Sequence, residues 1–286
     1  MIKQCKGKAL DKVAKSRLLA GLWFYSTKVD GNYVQIHKVG DKVRFFTSGG
    51  KEFYLSHVAD RIVRTNQGKN FKVEVEYNHG SLGKLGDRVN SAKLTTYRTE
   101  FEKGIESVGS HLDIFQVFDV ISYSDDQANS LDYEVGELCF ELREMYLRTA
   151  INYLAGFIQV HHLKGSLEDA KTQSKALVAQ GWEGVFAKHA THLYEPGKRV
   201  NTAIKLKERP DADLVCIDVV PGEGKYEGLI GSLVLRDADG LEVSVGSGLS
   251  DSDRNQSPDH FIGETIEIQY EQKLATYIQP VVIGIK

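Results

Sequence analysis

A lysine acts as a nucleophile only as the free amine, so a catalytic lysine needs cationic or desolvating company. Lys28 stands in Lys28-Val29-Asp30-Gly31, at the end of the apolar run Leu22-Trp23-Phe24-Tyr25. Four further strings follow it in order: Val73-Glu74-Val75-Glu76-Tyr77, Phe115-Gln116-Val117-Phe118-Asp119-Val120, Glu183-Gly184-Val185-Phe186-Ala187-Lys188 and Ala203-Ile204-Lys205-Leu206-Lys207. Lys205 and Lys207 are two apart on a strand, so they share a face and can reach one phosphate. Glu74 and Glu76 share a face for the same reason. Magnesium keeps several waters, so one or two carboxylates would suffice to hold it. Each string has a plainer reading by itself. Lys-Asp-Gly is usually a solvated turn, the two glutamates fit the wet side of a half-buried strand, Phe118 fits a core and the lysine pair fits a solvated edge. Their joint order favours a shared function over these plainer readings.

The positioning elements follow from the hydrophobic pattern. Strands are expected near residues 21–28, 32–38, 42–46, 71–77, 114–121, 157–162, 184–188 and 202–207, and helices near 8–18, 51–64, 134–154 and 167–180. In the third helix Val135, Leu138, Cys139, Leu142, Met145 and Tyr146 recur at helical spacing behind Asp132 as a cap. Pro210, in Glu208-Arg209-Pro210-Asp211, stops the preceding strand and marks a domain boundary. Beyond it, strands are expected at 213–220, 228–236, 242–246, 265–270 and 281–285, with Asp239-Gly240 as a hairpin turn. Five strands in about 75 residues suit an OB-fold or a small sandwich.

Composition sets bounds. The 286 residues are 41% hydrophobic, enough for one large or two ordinary domains. No apolar run approaches the roughly 18 residues of a membrane span. Met1 to Ala20 carries six Lys or Arg and no apolar segment, unlike a signal peptide. Cys5, Cys139 and Cys216 lie far apart, which disfavours a zinc cluster or a disulfide framework. The expectation is an intracellular, cytoplasmic protein without a membrane partner. Residues 1–207 hold 30 Lys or Arg against 24 Asp or Glu, whereas residues 208–286 hold 6 against 15. A basic first part suits a polyphosphate and a nucleic-acid backbone.

The five strings resemble the motifs of the covalent nucleotidyltransferases, which comprise ATP-dependent DNA ligases, RNA ligases and mRNA capping enzymes. Two further stretches narrow the resemblance to compact ATP-dependent DNA ligases of phage or viral type. They are Tyr194-Glu195-Pro196-Gly197-Lys198-Arg199, and Gly224-Lys225-Tyr226-Glu227-Gly228 continuing through Gly231-Ser232-Leu233 and Val245-Gly246-Ser247-Gly248-Leu249-Ser250-Asp251 to Arg254. The resemblance implies an α+β protein. Residues 1–208 would form a nucleotidyltransferase (adenylation) domain with mainly antiparallel sheets, and residues 209–286 a C-terminal OB-fold β-barrel. It implies a monomer that seals nicked duplex DNA with ATP and magnesium. An RNA ligase, or an OB protein whose first domain has lost catalysis, is the alternative.

Site roles are carried over from the same resemblance. Lys28 would be the adenylated nucleophile and Asp30 its positioning acid. Glu76 would bind the ribose, with Glu74 as substitute and with a share in holding metal. Phe118 would stack on adenine, Glu183 would hold the metal, and Lys188, Lys205 and Lys207 would contact the nucleotide. Two arginines of the family pattern are absent: Tyr33 stands five positions after the nucleophile, and Thr47-Ser48-Gly49-Gly50 replaces a Ser-Arg-x-Gly stretch. Arg44 and Lys51 are the nearby replacements for DNA phosphate, with Arg254 in the second domain. Lys286 stands where the pattern's last arginine falls and would cover the pyrophosphate. His161-His162 and His189-x-x-His192 lack a cysteine or third histidine to complete a zinc site and read as polar surface or local contacts. The stretch Gly80 to Gly86 lacks a P-loop ending and reads as a loop.

Overall fold

In the computed structural model two β-sheets of the first two-thirds of the chain face each other, and each carries helices on its outer side. The structure describes residues 1–84, 92–125, 133–149, 157–207, 209–273 and 275–286. Four sequence expectations touch positions outside these: the Asp132 cap, the Leu85-Gly86 end of the glycine-rich loop, residues 150–154 of the helix expected over 134–154, and Glu208 at the boundary. By contact the chain divides into two units, Met1–Lys207 and Glu208–Lys286. Among the described residues no helix is long and apolar enough to cross a membrane.

The first unit begins with β1 (Lys6–Ala9), β2 (Trp23–Thr27), β3 (Asn32–Val39), β4 (Lys42–Thr47) and β5 (Glu52–Phe53), followed by helix α1 (Ser56–Thr65). Next come β6 (Lys69–His79), α2 (Ala92–Glu102), β7 (Asp113–Asp125), α3 (Phe140–Thr149), β8 (Phe157–Gln159), β9 (Leu163–Gly165), α4 (Leu167–Val178), β10 (Val185–His189) and β11 (Arg199–Leu206). One sheet runs β5-β4-β3-β6-β7-β8 and the other β1-β11-β10-β2-β9. All pairs are antiparallel except β7 with β8 and β1 with β11.

Strand alternation sorts the residues of both sheets. In the first, Val34, Ile36, Val73, Val75, Tyr77, Phe115, Val117 and Val120 join one core with Ala59 and Ile62 of α1, Leu94 and Tyr97 of α2, and Tyr146 and Leu147 of α3. In the second, Trp23, Tyr25, Val185, Ala187, Ile204 and Leu206 pack on Ala170 and Leu177 of α4. Ser166 begins α4 with a capping box, its side chain accepting from Asp169 N–H while the Asp169 carboxylate accepts from Ser166. The opposite faces of the two sheets carry Tyr33, Glu74, Glu76, Phe118 and Asp119, and Ser26, Phe186, Lys188, Ala203 and Lys205, all of which line one cavity. Glu74 and Glu76 are therefore not on a wet face; Glu74 is only 3% exposed.

The helices depart most from the sequence pattern. The expected helix at 8–18 is β1 followed by two short 3-10 turns, because Lys6–Ala9 pairs with β11. The helix expected at 51–64 starts at Ser56, since Glu52 and Phe53 pair with β4. The helix expected over 134–154 starts at Phe140: Gly136 sits at φ +89°, a left-handed conformation that breaks a helix, and Cys139 bridges to Leu193. Its apolar Leu142 and Met145 are exposed at 43% and 46%, while Arg143 and Glu144 are buried.

The second unit comprises β12 (Asp211–Pro221), β13 (Ile230–Arg236), β14 (Glu242–Val245), the single turn α5 (Asp251–Arg254), β15 (Thr265–Gln269), the hairpin β16 (Gln272–Lys273) and β17 (Tyr277–Ile278), and β18 (Val281–Ile285). Its sheet runs β14-β13-β12-β15-β18, all antiparallel, around Leu214, Cys216, Leu233, Leu235, Phe261, Ile266 and Ile268. The expected barrel is not closed by a ladder among the described residues. Its two edge regions meet at one backbone bond, Val282 N–H to Ser247 O at 2.9 Å. Gly248 permits that approach, at φ +94° and with Val282 O only 2.1 Å from where a Cβ would stand.

Candidate nucleotide-binding site

The backbone of the loop that carries Lys28 is held from three sides. Lys28 N–H donates to Gly184 O at 2.8 Å, Asp30 N–H donates to Gly83 O at 2.9 Å, and Asn78 Nδ2 donates to Asp30 O at 2.9 Å. Gly31 lies so close to β6 that a Cβ would meet Asn78 Oδ1 at 2.7 Å and Glu76 Cγ at 2.8 Å. That close approach explains the glycine of Lys28-Val29-Asp30-Gly31. Across the loop, Glu183 pairs through Oε2 with the Lys28 ammonium and through Oε1 with Lys207. Burial pushes the Glu183 carboxyl up, but Lys28 and Lys207 outweigh it and hold it below the usual carboxylate range. Lys205, facing Phe186 across the ladder, is lowered by burial first and then by Lys28 and Lys207. Two lysines on one carboxylate, with Lys205 close enough to feel both, make a cationic cluster suited to a polyanion.

The cavity has a volume of about 650 Å³. At the end away from Lys28, Phe118 occupies a bulge: Glu74 pairs with Asp119 and Val75 with Val117, leaving Phe118 without a partner position. The bulge aims Phe118 and Asp119 together into the cavity while Val117 and Val120 stay in the core. Asp119, 1% exposed, accepts from Arg143 Nε at 3.0 Å, Arg143 Nη2 at 3.1 Å and Lys188 Nζ at 2.6 Å. Burial opposes ionisation there, yet Arg143 and Lys188 keep its carboxyl far below the usual range. The Lys188 ammonium lies 4.4 Å from the Phe140 ring centre, 5.2 Å from Phe118 and 5.8 Å from Phe186.

The structure thus gathers Lys28, Asp30, Glu76, Phe118, Lys188 and Lys205 around one cavity and sets Glu183 and Lys207 beside Lys28. Lys51 also lines it, 3.8 Å from Glu102 on α2. Arg44 does not. It is tied to Glu52 by bonds of 2.8 and 2.6 Å and lies over Phe46, outside the cavity lining. Arg254 is a second correction. Its guanidinium is buried and donates to Ile230 O, Gly231 O and Gly246 O at 2.8, 2.7 and 2.6 Å under the Tyr226 ring, so it knits the second unit together rather than facing DNA. Lys286 bonds both Asp213 oxygens at 2.7 and 2.9 Å, and its N–H donates to Thr265 O.

Several cavity residues escaped the sequence reading. Tyr33 donates to Glu74, which also accepts from Tyr194 at 2.6 Å; burial, then Asp119, raises the Glu74 carboxyl. Tyr33 is therefore an interior hydrogen-bond partner. Arg98 of α2 lines the cavity beside Ser48 and Lys51, and its buried Nε has no hydrogen-bond partner among the described residues, with Glu102 at 3.8 Å. Its helix has no apolar period to reveal it. His162 and His192, read as surface or local contacts, are 4% and 2% exposed and both line the cavity.

Those two histidines give a pH dependence. Burial, aided by Lys188 for His162 and by Arg143 for His192, pushes both down to about 3. Their folded values lie below the ordinary 6.5, so the unfolded chain takes up protons first as pH drops. Stability is whole above about pH 6.5 and falls from there toward pH 3. At pH 5 each histidine costs up to about 2 kcal/mol relative to pH 7.5. Urea unfolding of His192→Asn should show a shallower loss between pH 7.5 and 5 than the unaltered protein; equal slopes would contradict the assignment.

The profile of the ATP-dependent DNA ligase domain matches residues 4–207, which include every cavity residue named above. The chain belongs to the ATP-dependent DNA ligase family. The profile of the DNA ligase OB-like domain matches residues 221–276 of this ligase-family chain. A DNA ligase of Thermococcus onnurineus is 29% identical over 244 residues, 80% of this chain and 41% of that protein. One from Methanothermobacter thermautotrophicus is 26% identical over 249 residues, 81% of this chain and 42% of its own length. The chain spans about two fifths of these curated relatives. A solved structure from work on Lig E DNA ligases covers 100% of both chains at TM-score 0.65 and 16% identity. The ATP-dependent DNA ligase of bacteriophage T7, solved in complex with ATP, covers 99% of this chain and 98% of its own at TM-score 0.53 and 13% identity. Both likenesses are of fold.

Among the described residues no group of three or more His, Cys, Asp or Glu forms a ready metal cage. Of the site's carboxylates, Glu76 lines the cavity and Glu183 lies beside Lys28, and their oxygens are the donor type that magnesium takes.

Proposed function

We propose that this ligase-family chain seals 3′-hydroxyl/5′-phosphate nicks in duplex DNA at the expense of ATP, through a lysyl-AMP on Lys28. We read Met1–Lys207 as the adenylation domain and Glu208–Lys286 as the OB domain. The observation that carries the reading is the Lys28 amine at a nucleotide-sized cavity, ringed by Glu183, Lys205 and Lys207. In the first transfer the Lys28 Nζ–phosphorus bond forms as the α,β-anhydride breaks and pyrophosphate leaves. The ammonium proton leaves to solvent before the bond forms, which frees the amine from Glu183, its partner in the resting site. Lys205 and Lys207 offset the charge that builds on the phosphoryl oxygens. AMP then moves from Lys28 to the 5′-phosphate of the nick, and the 3′-hydroxyl displaces it. Magnesium, held by Glu183 and Glu76 together with the phosphates, would supply further charge neutralisation. Lys51 and Arg98 at the cavity rim take the place of Arg44 as the cations nearest an incoming DNA phosphate.

Nicked duplexes with a labelled 5′-phosphate, one all DNA and one with RNA at the nick, test the substrate. DNA sealing that requires ATP supports the reading, and sealing confined to RNA overturns it. Lys205→Ala is expected to slow lysyl-AMP formation roughly a hundred- to a thousandfold, the usual effect of removing one electrostatic contact to a transition state. An unchanged single-turnover rate would reduce Lys205 to a surface charge.

A further inference from the structure

The His162 ring is buried against the cavity. Its Nδ1 is buried and has no hydrogen-bond partner among the described residues, although the residue lines the cavity and is 4% exposed. A buried polar atom left unpaired costs about 1–3 kcal/mol, so such atoms in a cavity wall commonly await a ligand or water. The ring is neutral at working pH, because burial and Lys188 push it down to about 3. A neutral imidazole offers one donor and one acceptor.

Its place in the cavity suits a base. The ring meets Phe140 edge-on at 5.2 Å, Phe140 lies under the Lys188 ammonium, and Lys188 lies over Phe118. Val160 and His192 line the same cavity. Lys188 lies five residues along the chain from Glu183, up to about 16 Å of backbone, a spacing that can seat a nucleoside between these rings and the lysine cluster. A flat ring such as Phe118 stacks on any base and does not choose among them. Choice needs a polar atom at the base edge.

We infer that His162 selects the nucleotide base, its Nδ1 accepting a hydrogen bond from the 6-amino group of adenine. Guanine presents an oxygen at that position and would leave two acceptors facing each other, a penalty that separates the two purines. The inference rests on the nucleotide reading of the cavity given above.

The test is a comparison of lysyl-nucleotide formation from ATP and from purine riboside triphosphate, which lacks the 6-amino group, in the unaltered protein, His162→Phe and His162→Asn. In the unaltered protein, half-saturation should require roughly tenfold more of the analogue than of ATP. In His162→Phe the ratio should fall to near one. His162→Asn, which keeps an acceptor, should retain part of it and carries the test if the phenylalanine variant does not fold. Equal use of the two nucleotides by the unaltered protein, or a ratio unchanged in the variants, would overturn the role of His162. An adduct with neither nucleotide in the unaltered protein would instead overturn the nucleotide reading itself.

Discussion

Lys28→Ala is expected to form no nucleotide adduct and to seal no nick with ATP. In the resting site the Lys28 ammonium is paired with the Glu183 carboxylate, and the cavity opens beside it. Lys207 keeps its own pair with Glu183 when Lys28 is removed, so the carboxylate is not stranded and folding should survive. Lys28→Arg should fail equally, because a guanidinium stays protonated and is no nucleophile. A nick already carrying AMP on its 5′-phosphate bypasses the lysine, and the variant should still close it. Failure on that substrate together with loss of folding would mean that Lys28 serves structure. Retained sealing with ATP would remove it from the mechanism altogether.

Asp119→Ala is expected to have the largest effect on stability. The substitution leaves Arg143 and Lys188, with side chains 1% and 5% exposed, without the carboxylate that both contact. Removing one partner of a buried ion pair costs about 3–5 kcal/mol, chiefly because a buried charge is left uncompensated. Arg143 also donates to Leu138 O and His192 O at 2.7 and 3.0 Å, so its displacement would loosen the cavity floor. Urea unfolding followed by tryptophan fluorescence reads the loss, since Trp23 and Trp182 both lie in the first unit. Asp119→Asn keeps one carbonyl acceptor and should fall between the alanine variant and the unaltered protein. A shift below about 1 kcal/mol for the alanine variant would show that solvent reaches these cations.

The same residues show what was legible in the chain. Alternation in Val73-Glu74-Val75-Glu76-Tyr77 sets both glutamates on one face, and β6 obeys it. Whether that face meets water or a second sheet depends on a partner more than a hundred residues away, as the contact of Glu74 with Tyr194 illustrates. The bulge at Phe118 breaks the period of two, so Phe118 and Asp119 share a cavity that alternation would deny to one of them. Arg143 was hidden because helical spacing assigned the buried face to Leu142 and Met145; a buried ion pair reverses that choice. Arg44 and Lys51 look equivalent along the chain, yet Glu52 captures Arg44 on its own strand pair while Lys51 reaches the cavity. Arg254 lies in a ligase-like stretch, but only the fold reveals the three carbonyls that hold it. The five strands of the second unit were legible from turns and alternation; the missing closure between its edge strands was not, because a single backbone bond there leaves no pattern.

The central claim is that Lys28 carries the nucleotide. Intact-mass measurement of the protein after incubation with ATP and magnesium, followed by peptide mapping, tests it directly. The account predicts one AMP per chain, attached to Lys28 and released by pyrophosphate or by a nicked DNA. An adduct on another residue, or no adduct in a folded protein given ATP, would contradict it.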